Sequence, residues 1–356
     1  MTSKRVIKPF RRALLPNLSF RPDLIESFLD MPSAIVKCTL CPKECRLAHA
    51  QRGDCRVRVN LEGKLMTLVF GKPGAVHVDP IEKKPMFHML PGSTAFSIAT
   101  AGCNLHCKFC QNWELSQTNP EDLHTEDLPP EKVVALARQY GCRSIAYTYS
   151  EPIIFYEYTY ETSKLARQAG IKNILVTAGF INEKPLRKLC SVSDGANVDI
   201  KGFTEDYYRT ICAGRLQPVL DCGEIMRQEG VLVEVTNLIV PTLNDDLEMI
   251  KRMCGWIVEH LGPETPLHFS RFHPQYQLKS LPPTPVETLV QAREVALAEG
   301  IYYSYLGNVP GSGAEDTRCP KCGSLLISRI GYQTRIIALK NGACGQCGQA
   351  IHGIWS

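Results

Sequence analysis

Between residues 96 and 306, short apolar and β-branched runs alternate with longer amphipathic segments. The short runs predict strands, and the longer segments repeat apolar residues at helical spacing. This alternation predicts an α/β protein whose repeated βα units build a parallel sheet, as an open or partial (β/α)6 barrel. The predicted strands are residues 96–100, 144–148, 173–177, 196–200, 232–240, 267–271 and 302–306.

Capping residues mark the predicted helix boundaries. The predicted starts are Pro129-Pro130, residues 244–246 and a Thr284/Glu287 capping box, and the predicted ends are Gly141, Gly170, Leu261 and Gly300. In parallel architectures of this kind, ligands bind at the carboxyl ends of the strands. Polar residues that follow the predicted strands are therefore the first candidates for a functional site.

The length of 356 residues predicts one large domain with small attachments. Changes in pattern divide the chain into an N-terminal extension over residues 1–75, a core over residues 76–310 and a C-terminal domain over residues 311–356. The net charge of +4 gives no reason to propose nucleic acid as a partner. No apolar run approaches the roughly 20 residues of a membrane span.

Residues 1–12 carry five basic side chains and no acid, which raises the question of a targeting signal. No long apolar stretch follows Arg11-Arg12, so we expect neither a secretory nor a twin-arginine signal. Sixteen cysteines then indicate metal ligands in a reducing, cytoplasmic environment instead of disulfides. Eleven of the sixteen form three groups. The other five, predicted to be packing residues, are Cys142, Cys190, Cys212, Cys222 and Cys254.

The first cysteine group lies in a segment that is too short to build its own hydrophobic core. It contains Cys38, Cys41, Cys45 and Cys55. Four cysteines within eighteen residues predict a metal site. Their spacing differs from paired zinc knuckles, and Pro42 beside Cys41 is typical of iron-sulfur cysteines, so zinc and an iron-sulfur cluster both remain open.

The last group consists of two CxxC pairs, each followed by glycine and separated by a hairpin-length insert. Its members are Cys319, Cys322, Cys344 and Cys347. This pattern predicts a four-cysteine zinc ribbon. Four thiolates close the coordination of the metal, so we expect the ribbon to stabilise the C-terminus or to dock a partner.

The middle group, Cys103, Cys107 and Cys110, forms a CxxxCxxC run after the first predicted strand. Inert buried thiols do not explain three cysteines within eight residues, and a zinc site would take His106, inside the loop, as its nearest fourth ligand. Three thiolates at this spacing can hold a [4Fe-4S] cluster and leave one iron open. An open iron on a low-potential cluster can bind a small molecule and pass it an electron.

This run, with Phe109 before its last cysteine, resembles the signature of the radical SAM superfamily. The resemblance implies a radical SAM barrel whose open iron binds the amino and carboxylate groups of S-adenosylmethionine (SAM). One electron then splits the sulfonium into methionine and a 5'-deoxyadenosyl radical. Ser150-Glu151-Pro152 replaces the usual Gly-Gly-Glu-Pro, but Glu151 keeps an acceptor for the methionine amino group.

Later strand ends are similar to those of glycyl-radical activating enzymes. Thr177 matches their Thr-Asn-Gly run, with alanine in place of asparagine, and Pro241 matches their Val-Pro-Gly-x-x-Asp run, with threonine in place of glycine. Asp199 and Lys201 match their Asp-x-Lys, although alternate strand positions also allow a simple ion pair. His273 lies where those enzymes also place a histidine. The resemblance implies cofactor contacts at Phe109, Asn112, Tyr149, Ser150, Glu151, Thr177, Asp199, Lys201 and Pro241, and catalytic roles for Asp199, Lys201 and His273.

From about Cys38 to the end, the chain resembles the radical SAM enzyme of the AmmeMemoRadiSam system, a relative of pyruvate formate-lyase activating enzymes. The motifs that carry this resemblance are residues 100–113, 147–152, 307–309 and 351–355 together with the C-terminal ribbon. It implies a [4Fe-4S] cluster, SAM, and partner proteins of the AMMECR and Memo types. It does not fix a substrate, which is either a protein or a small molecule.

The leading hypothesis is a radical SAM enzyme that abstracts hydrogen from an unidentified substrate and takes its electron from a donor such as flavodoxin or ferredoxin. A narrower hypothesis makes the substrate a glycine Cα of a glycyl-radical enzyme. A third, of a different class, is a non-catalytic redox sensor or scaffold with iron-sulfur and zinc sites. A sensor has no need of an open iron or of polar strand ends, and a radical methyltransferase commonly needs further cysteines or another cofactor domain.

Overall fold

The computed structural model describes residues 34–309 and 313–356. The basic segment at residues 1–12 and the predicted boundary between residues 310 and 311 lie outside the described residues. Four short strands precede the main sheet and form two antiparallel hairpins, β1 with β2 and β3 with β4. These strands are β1 Val36–Lys37, β2 Arg46–Leu47, β3 Arg58–Leu61 and β4 Lys64–Thr67.

An eight-stranded sheet forms the centre of the molecule. Its strands are β5 Ala75–Pro80, β6 Thr94–Ala99, β7 Ser144–Tyr147, β8 Lys172–Thr177, β9 Gly195–Asp199, β10 Leu232–Ile239, β11 Leu267–Arg271 and β12 Ser304–Gly307. The strands follow each other in chain order across the sheet. Strands β6 to β12 are parallel, and β5 pairs antiparallel with β6. The sheet is open, with β5 and β12 at its edges.

The predicted α/β fold with a central parallel sheet is confirmed, and all seven predicted strands are present in the predicted order. The predicted six βα units are also present, because β6 to β11 are each followed by a helix and β12 adds a seventh parallel strand. The sequence pattern missed β5. Polar His77 and Asp79 interrupt its apolar residues, which is compatible with an edge strand but hides it from a search for buried runs.

Helices connect the strands and cover one face of the sheet, where the main hydrophobic core lies. They are α1 Trp113–Ser116, α2 Pro130–Gln139, α3 Tyr156–Gln168, α4 Glu183–Cys190, α5 Glu205–Tyr207, α6 Gln217–Gln228, α7 Leu247–Trp256 and α8 Val286–Ala298. Two π-helical turns, Tyr208–Cys212 and Ile257–Leu261, continue α5 and α7. No helix in the described part of the chain has both the length and the apolar character needed to cross a bilayer.

Most predicted helix boundaries are present. Asp246 caps α7, where its carboxylate accepts the Met249 N–H at 2.7 Å. The capping box at Thr284 was wrong, because α8 begins two residues later, at Val286. The Thr284 hydroxyl instead donates to the Ile239 carbonyl at 2.6 Å and ties the loop before α8 to the end of β10.

Five short strands build the C-terminal unit: β13 Thr317–Arg318, β14 Leu325–Ile330, β15 Gln333–Ile336, β16 Leu339–Lys340 and β17 Ala343–Cys344. This unit packs against the segment between β5 and β6. The Ile354 N–H donates to the His88 carbonyl at 2.8 Å, and the Leu90 N–H donates to the Ile354 carbonyl at 2.7 Å. Arg329 Nη2 donates to the Phe87 carbonyl at 2.7 Å. The C-terminal unit is therefore attached to the barrel by backbone pairing.

Candidate active site

A pocket of about 650 Å³ opens at the carboxyl ends of the parallel strands, within the size range of small-molecule sites. Residues from the loops after successive strands line it. Those that the sequence had singled out are Cys103, Cys107, Phe109, Cys110, Asn112, Tyr149, Ser150, Glu151, Asp199 and Lys201. The pocket therefore brings together the three-cysteine loop and most of the predicted cofactor contacts.

The cysteine loop starts from a glycine that the local geometry requires. Gly102 has φ +91°, and a Cβ there would lie 2.4 Å from the Cys55 carbonyl oxygen. Its N–H donates to the Leu115 carbonyl at 3.1 Å, which joins the start of the loop to α1. The loop is thus seated directly on the N-terminal cysteine segment.

The other side of the loop pairs with the π-helical turn after α5. The His106 N–H donates to the Cys212 carbonyl at 2.9 Å, and the Lys108 N–H donates to the Ile211 carbonyl at 3.0 Å. A hydrogen bond from the Cys212 thiol lowers the pKa of Cys107, while burial opposes this effect. Cys212 was predicted to be a packing residue, and the structure instead places its thiol against a cysteine of the CxxxCxxC run.

His106 is not available as a metal ligand. Its Nε2 lies 2.9 Å from Asp54 Oδ2, and its Nδ1 lies 2.7 Å from Gln117 Oε1. Both ring nitrogens are therefore used to hold the loop. This agrees with the interpretation that the loop offers three ligands.

Glu151 lies at the end of β7 and is 1% exposed. One carboxylate oxygen accepts the Thr177 hydroxyl at 2.6 Å, and the other accepts the Ala178 N–H at 2.8 Å. Burial raises the pKa of Glu151 from 4.5 to about 7, although these hydrogen bonds favour the ionised form. Thr177 itself does not line the pocket. It positions Glu151, so its contact with a cofactor is indirect in this arrangement.

Asp199 and Lys201 face the pocket from the end of β9 and form the expected ion pair, with Lys201 Nζ 2.8 Å from Asp199 Oδ2. Burial alone would lower the pKa of Lys201, but Asp199 and Cys107 raise it well above its usual value. Lys201 Nζ also lies 5.9 Å from the centre of the Phe109 ring. A fixed positive charge therefore stands next to the cysteine loop.

Lys84 is a pocket residue that the sequence did not single out. It is 1% exposed, and its Nζ donates to Asp79 Oδ2 at 2.6 Å and to the Tyr149 hydroxyl at 3.2 Å. Burial lowers the pKa of Lys84 to about 8, and Asp79 opposes the shift. Tyr149 has φ +61°, a conformation that is uncommon for a bulky residue. The ion pair of Lys84 and Asp79 thus orients the side chain of Tyr149, whose backbone has an uncommon conformation, at the pocket wall.

Besides Thr177, two predicted site residues do not line the pocket. His273 is exposed and is absent from the described residues that line the pocket, so the pocket gives its predicted catalytic role no support. Pro241 is buried in the turn after β10 without reaching the pocket. The histidine that does line the pocket is His268, the second residue of β11, whose Nε2 lies 2.7 Å from buried Glu234. Alternation along β11 was the available signal, since His268 and Ser270 point to the same face.

The C-terminal unit also reaches the pocket. Glu315 and the turn between β14 and β15, at Gly331 and Tyr332, form part of its lining. In the same C-terminal unit, the four ribbon cysteines converge. Their sulfur atoms all lie within 4.8 Å of one another, and both Gly323 and Gly348, which follow the two CxxC pairs, have φ +74°. The predicted four-cysteine site is therefore present.

The N-terminal cysteines also meet in space. Cys38, Cys41, Cys45 and Cys55 line a second cavity, of about 20 Å³. This cavity lies behind the cysteine loop, and Asn104 contributes to its wall.

A sequence model of the Radical SAM superfamily matches residues 97–257, which include the three-cysteine loop and the ends of β7, β8, β9 and β10. A protein of Methanocaldococcus jannaschii whose name states only that it is uncharacterized is 44% identical over 318 residues, which cover 89% of this chain and 95% of that protein. Residues 97–257 therefore form a domain of the radical SAM superfamily. This superfamily implies a [4Fe-4S] cluster and SAM.

Other similarities are more distant. The pyruvate formate-lyase-activating enzyme of Clostridium pasteurianum is 26% identical over 162 residues, which cover 44% of this chain and 66% of that enzyme. A radical SAM methyltransferase of Sphaerobacter thermophilus superposes with a TM-score of 0.49 at 15% identity, over 66% of this chain and 71% of that one.

Proposed function

We propose that this protein reductively cleaves SAM and uses the resulting 5'-deoxyadenosyl radical to abstract hydrogen from a substrate that is still to be identified. The observation that carries the proposal is one pocket that contains Cys103, Cys107 and Cys110 together with Glu151 and Lys201. Three thiolates leave one iron of a cubane cluster without a protein ligand. The pocket gives that iron a place for a small molecule, which a redox sensor would not need.

The residues that line the pocket fit both a [4Fe-4S] cluster and SAM. Among the described residues, the buried Ser150 Oγ and Thr236 Oγ1 have no hydrogen-bond partner, and both residues line the pocket. These two hydroxyls are therefore free to hydrogen-bond to a polar ligand in the pocket. Cys103, Cys107 and Cys110 would hold the cluster. When bound, the cluster and SAM together supply a carbon-centred radical.

The protein's own residues would bind and orient the cosubstrate. Glu151 would accept hydrogen bonds from its amino group, because Thr177 and Ala178 hold both carboxylate oxygens in place. The Lys201 ammonium would offset the negative charge of the thiolates, since its positive charge is fixed beside Cys107.

Anaerobic reconstitution tests the proposal. Protein supplied with iron, sulfide, SAM and dithionite should form 5'-deoxyadenosine, and the Cys107→Ala variant should not. Cys254→Ala is the matched control, because Cys254 is also buried but lies in α7, outside the residues that line the pocket. Equal product formation by wild type and Cys107→Ala would refute the proposal.

A narrower candidate is the activation of a glycyl-radical enzyme. The similarity to a pyruvate formate-lyase-activating enzyme favours it. Each candidate glycyl-radical enzyme encoded near this protein would be incubated with the reconstituted protein and SAM. Electron paramagnetic resonance (EPR) should then show a glycyl radical, and its absence for all candidates would reject this substrate class. Partners of the AMMECR and Memo types belong to the broader proposal and are tested by co-purification.

We assign zinc to the C-terminal ribbon. The sulfur atoms of Cys319 and Cys347 are 3.6 Å apart, and those of Cys322 and Cys344 are 3.7 Å apart. A tetrahedral site with Zn–S bonds of about 2.3 Å places its sulfurs about 3.8 Å apart. Metal analysis should find about one zinc per chain that is lost in Cys319→Ser.

A further inference from the structure

The four N-terminal cysteines form a closed ligand set. All four line one cavity of about 20 Å³, and Gly53 lies between two of them. A Cβ on Gly53 would be in ordinary van der Waals contact with both Cys45 Sγ at 3.7 Å and Cys55 Sγ at 3.8 Å, so the Gly53 backbone passes close to these two sulfurs. Backbone N–H groups of Lys43 and Val57 donate to the sulfurs of Cys41 and Cys55. Such hydrogen bonds stabilise thiolates that ligate a metal.

The spacing of these sulfurs differs from that of the ribbon. Among the residues that the structure describes, the ribbon cysteines are the one group of three or more ligands whose donor atoms all lie within 4.8 Å of each other. Four thiolates that converge on one zinc ion need separations of about 3.8 Å. Thiolates that each bind a different iron of a cubane lie further apart, as do those of the three-cysteine loop.

The cavity that the N-terminal cysteines line has a volume of about 20 Å³, and roughly 10–15 Å³ is enough to hold one water molecule. The four cysteines therefore border one shared space, in which a metal group can bind.

A buried charge without a full set of partners faces this cavity. Arg58 lines it and is 4% exposed. Its two terminal nitrogens form a bidentate pair with Glu157 at 2.7 and 2.6 Å, but within the described chain its Nε has no partner. A buried guanidinium N–H without an acceptor is costly. A cluster in the cavity would supply an acceptor for this N–H.

The N-terminal site and the SAM-binding loop share their wall. Asn104, which directly follows Cys103, lines the N-terminal cavity and hydrogen-bonds to Cys41. On the same side, Asp54 lies 2.9 Å from His106, between two cysteines of the loop. Residues next to the cysteines of one set are therefore in direct contact with residues of the other set.

From this geometry we infer that Cys38, Cys41, Cys45 and Cys55 hold a second [4Fe-4S] cluster that passes electrons to the SAM-binding cluster. All four of its irons have a cysteine ligand, so it does not bind SAM. A low-potential one-electron donor of the flavodoxin or ferredoxin class reduces it by one electron. That electron then moves to the first cluster, which is reduced as the N-terminal cluster is reoxidised. The transfer step rests on the proposed function, whereas the presence of the second cluster does not.

Metal content tests the second cluster. Anaerobically purified wild-type protein should contain about eight irons per chain, and the triple variant Cys103→Ala, Cys107→Ala, Cys110→Ala should keep about four. After reduction, the EPR signal of this variant should be unchanged by SAM. About four irons in wild type, with the N-terminal site holding zinc or no metal, would overturn the inference. This wild-type measurement does not depend on the folding of any variant.

The choice of reductant tests electron transfer. In the double variant Cys41→Ala, Cys55→Ala, the rate of 5'-deoxyadenosine formation should fall at least tenfold with reduced flavodoxin but less than twofold with dithionite. An equal loss with both reductants would overturn the transfer role. If wild type forms no 5'-deoxyadenosine while the triple variant still binds four irons, the proposed function fails and the second cluster stands.

Discussion

Replacing Glu151 with glutamine separates the stability of the fold from the binding of SAM. The side chain keeps its shape, and its carbonyl oxygen can still accept the Ala178 N–H that Glu151 accepts at 2.8 Å. The amide group can donate to the Thr177 hydroxyl, which bonds to the carboxylate at 2.6 Å. The substitution therefore removes a charge and leaves most of the local hydrogen bonding intact.

The pKa of Glu151 determines how much this substitution changes the stability of the fold. Burial raises it from 4.5 in the unfolded chain to about 7 in the folded protein, which corresponds to a penalty of about 3 kcal/mol for the buried carboxylate. Below pH 4.5 both states are protonated and the penalty is absent. As the pH rises to 7, the unfolded chain ionises first and the folded protein loses stability. Above pH 7 the full penalty remains.

Glutamine does not titrate, so the Glu151→Gln variant should become more stable relative to wild type as the pH rises. Between about pH 5 and pH 8 the difference should grow by about 2.5 kcal/mol, which amounts to a relative rise in Tm of about 4 °C for a chain of this size. The measurement is thermal unfolding of both proteins, without SAM, across this pH range. A difference in Tm that does not change with pH would refute the reasoning.

The same variant should bind SAM more weakly. A hydrogen bond to a charged acceptor contributes about 1.5–3 kcal/mol, so the Kd for SAM should rise about 10- to 100-fold at pH 8. Equilibrium binding to the reconstituted, oxidised protein measures this. Unchanged affinity would show that Glu151 does not contact the cosubstrate. A variant that is more stable yet binds less well is expected where a buried charge serves binding at the cost of stability.

Three further outcomes follow from the site. Cys212→Ala removes a hydrogen bond of about 1 kcal/mol from the sulfur of Cys107. The reduction potential of the SAM-binding cluster should therefore fall by about 40 mV in an EPR-monitored titration. Cys254→Ala is the control and should leave this potential unchanged. Lys201→Met leaves the partly exposed Asp199 without its ion-pair partner at 2.8 Å. The rate of SAM cleavage should fall at least tenfold, and the unfolding free energy measured by urea denaturation should fall by about 1–2 kcal/mol. Cys319→Ser should release the ribbon metal and lower the Tm by several degrees, while iron analysis shows an unchanged iron content.

The fold was predictable because its signals are local. Strands of a parallel sheet covered on both faces read as continuous apolar runs, and β7, with all four residues buried, is an example. Gly141 follows α2 with φ +65°, a left-handed conformation that is strained for residues with a side chain, and so it marks the end of the helix. The spacing of Cys103, Cys107 and Cys110 likewise predicted one site, since ligands from a single short loop need no tertiary information.

Residues of the site that come together only in three dimensions were missed. Lys84 lies in a run of charges, which normally predicts an exposed turn, but it is buried because Asp79 and Tyr149 surround its ammonium group. In the sequence, Cys212 cannot be distinguished from a packing cysteine. Its position next to the cysteine loop follows from the hydrogen bond between its backbone carbonyl and the His106 N–H. The motif-based choice of His273 gave a residue beyond the strand, where alternation no longer fixes the direction of the side chain.

The ribbon lies close to the pocket although it offers no open site of its own. Four thiolates around a metal ion would leave no coordination position for a substrate. The turn at Gly331 and Tyr332 nevertheless lines the pocket, and Arg329 fixes the preceding strand to the carbonyl of Phe87 at 2.7 Å. Phe87 also lines the pocket, and its N–H donates to the buried Glu234 carboxylate at 3.0 Å. If the ribbon holds a metal, we therefore expect its loss to loosen the part of the pocket lining that Gly331 and Tyr332 form.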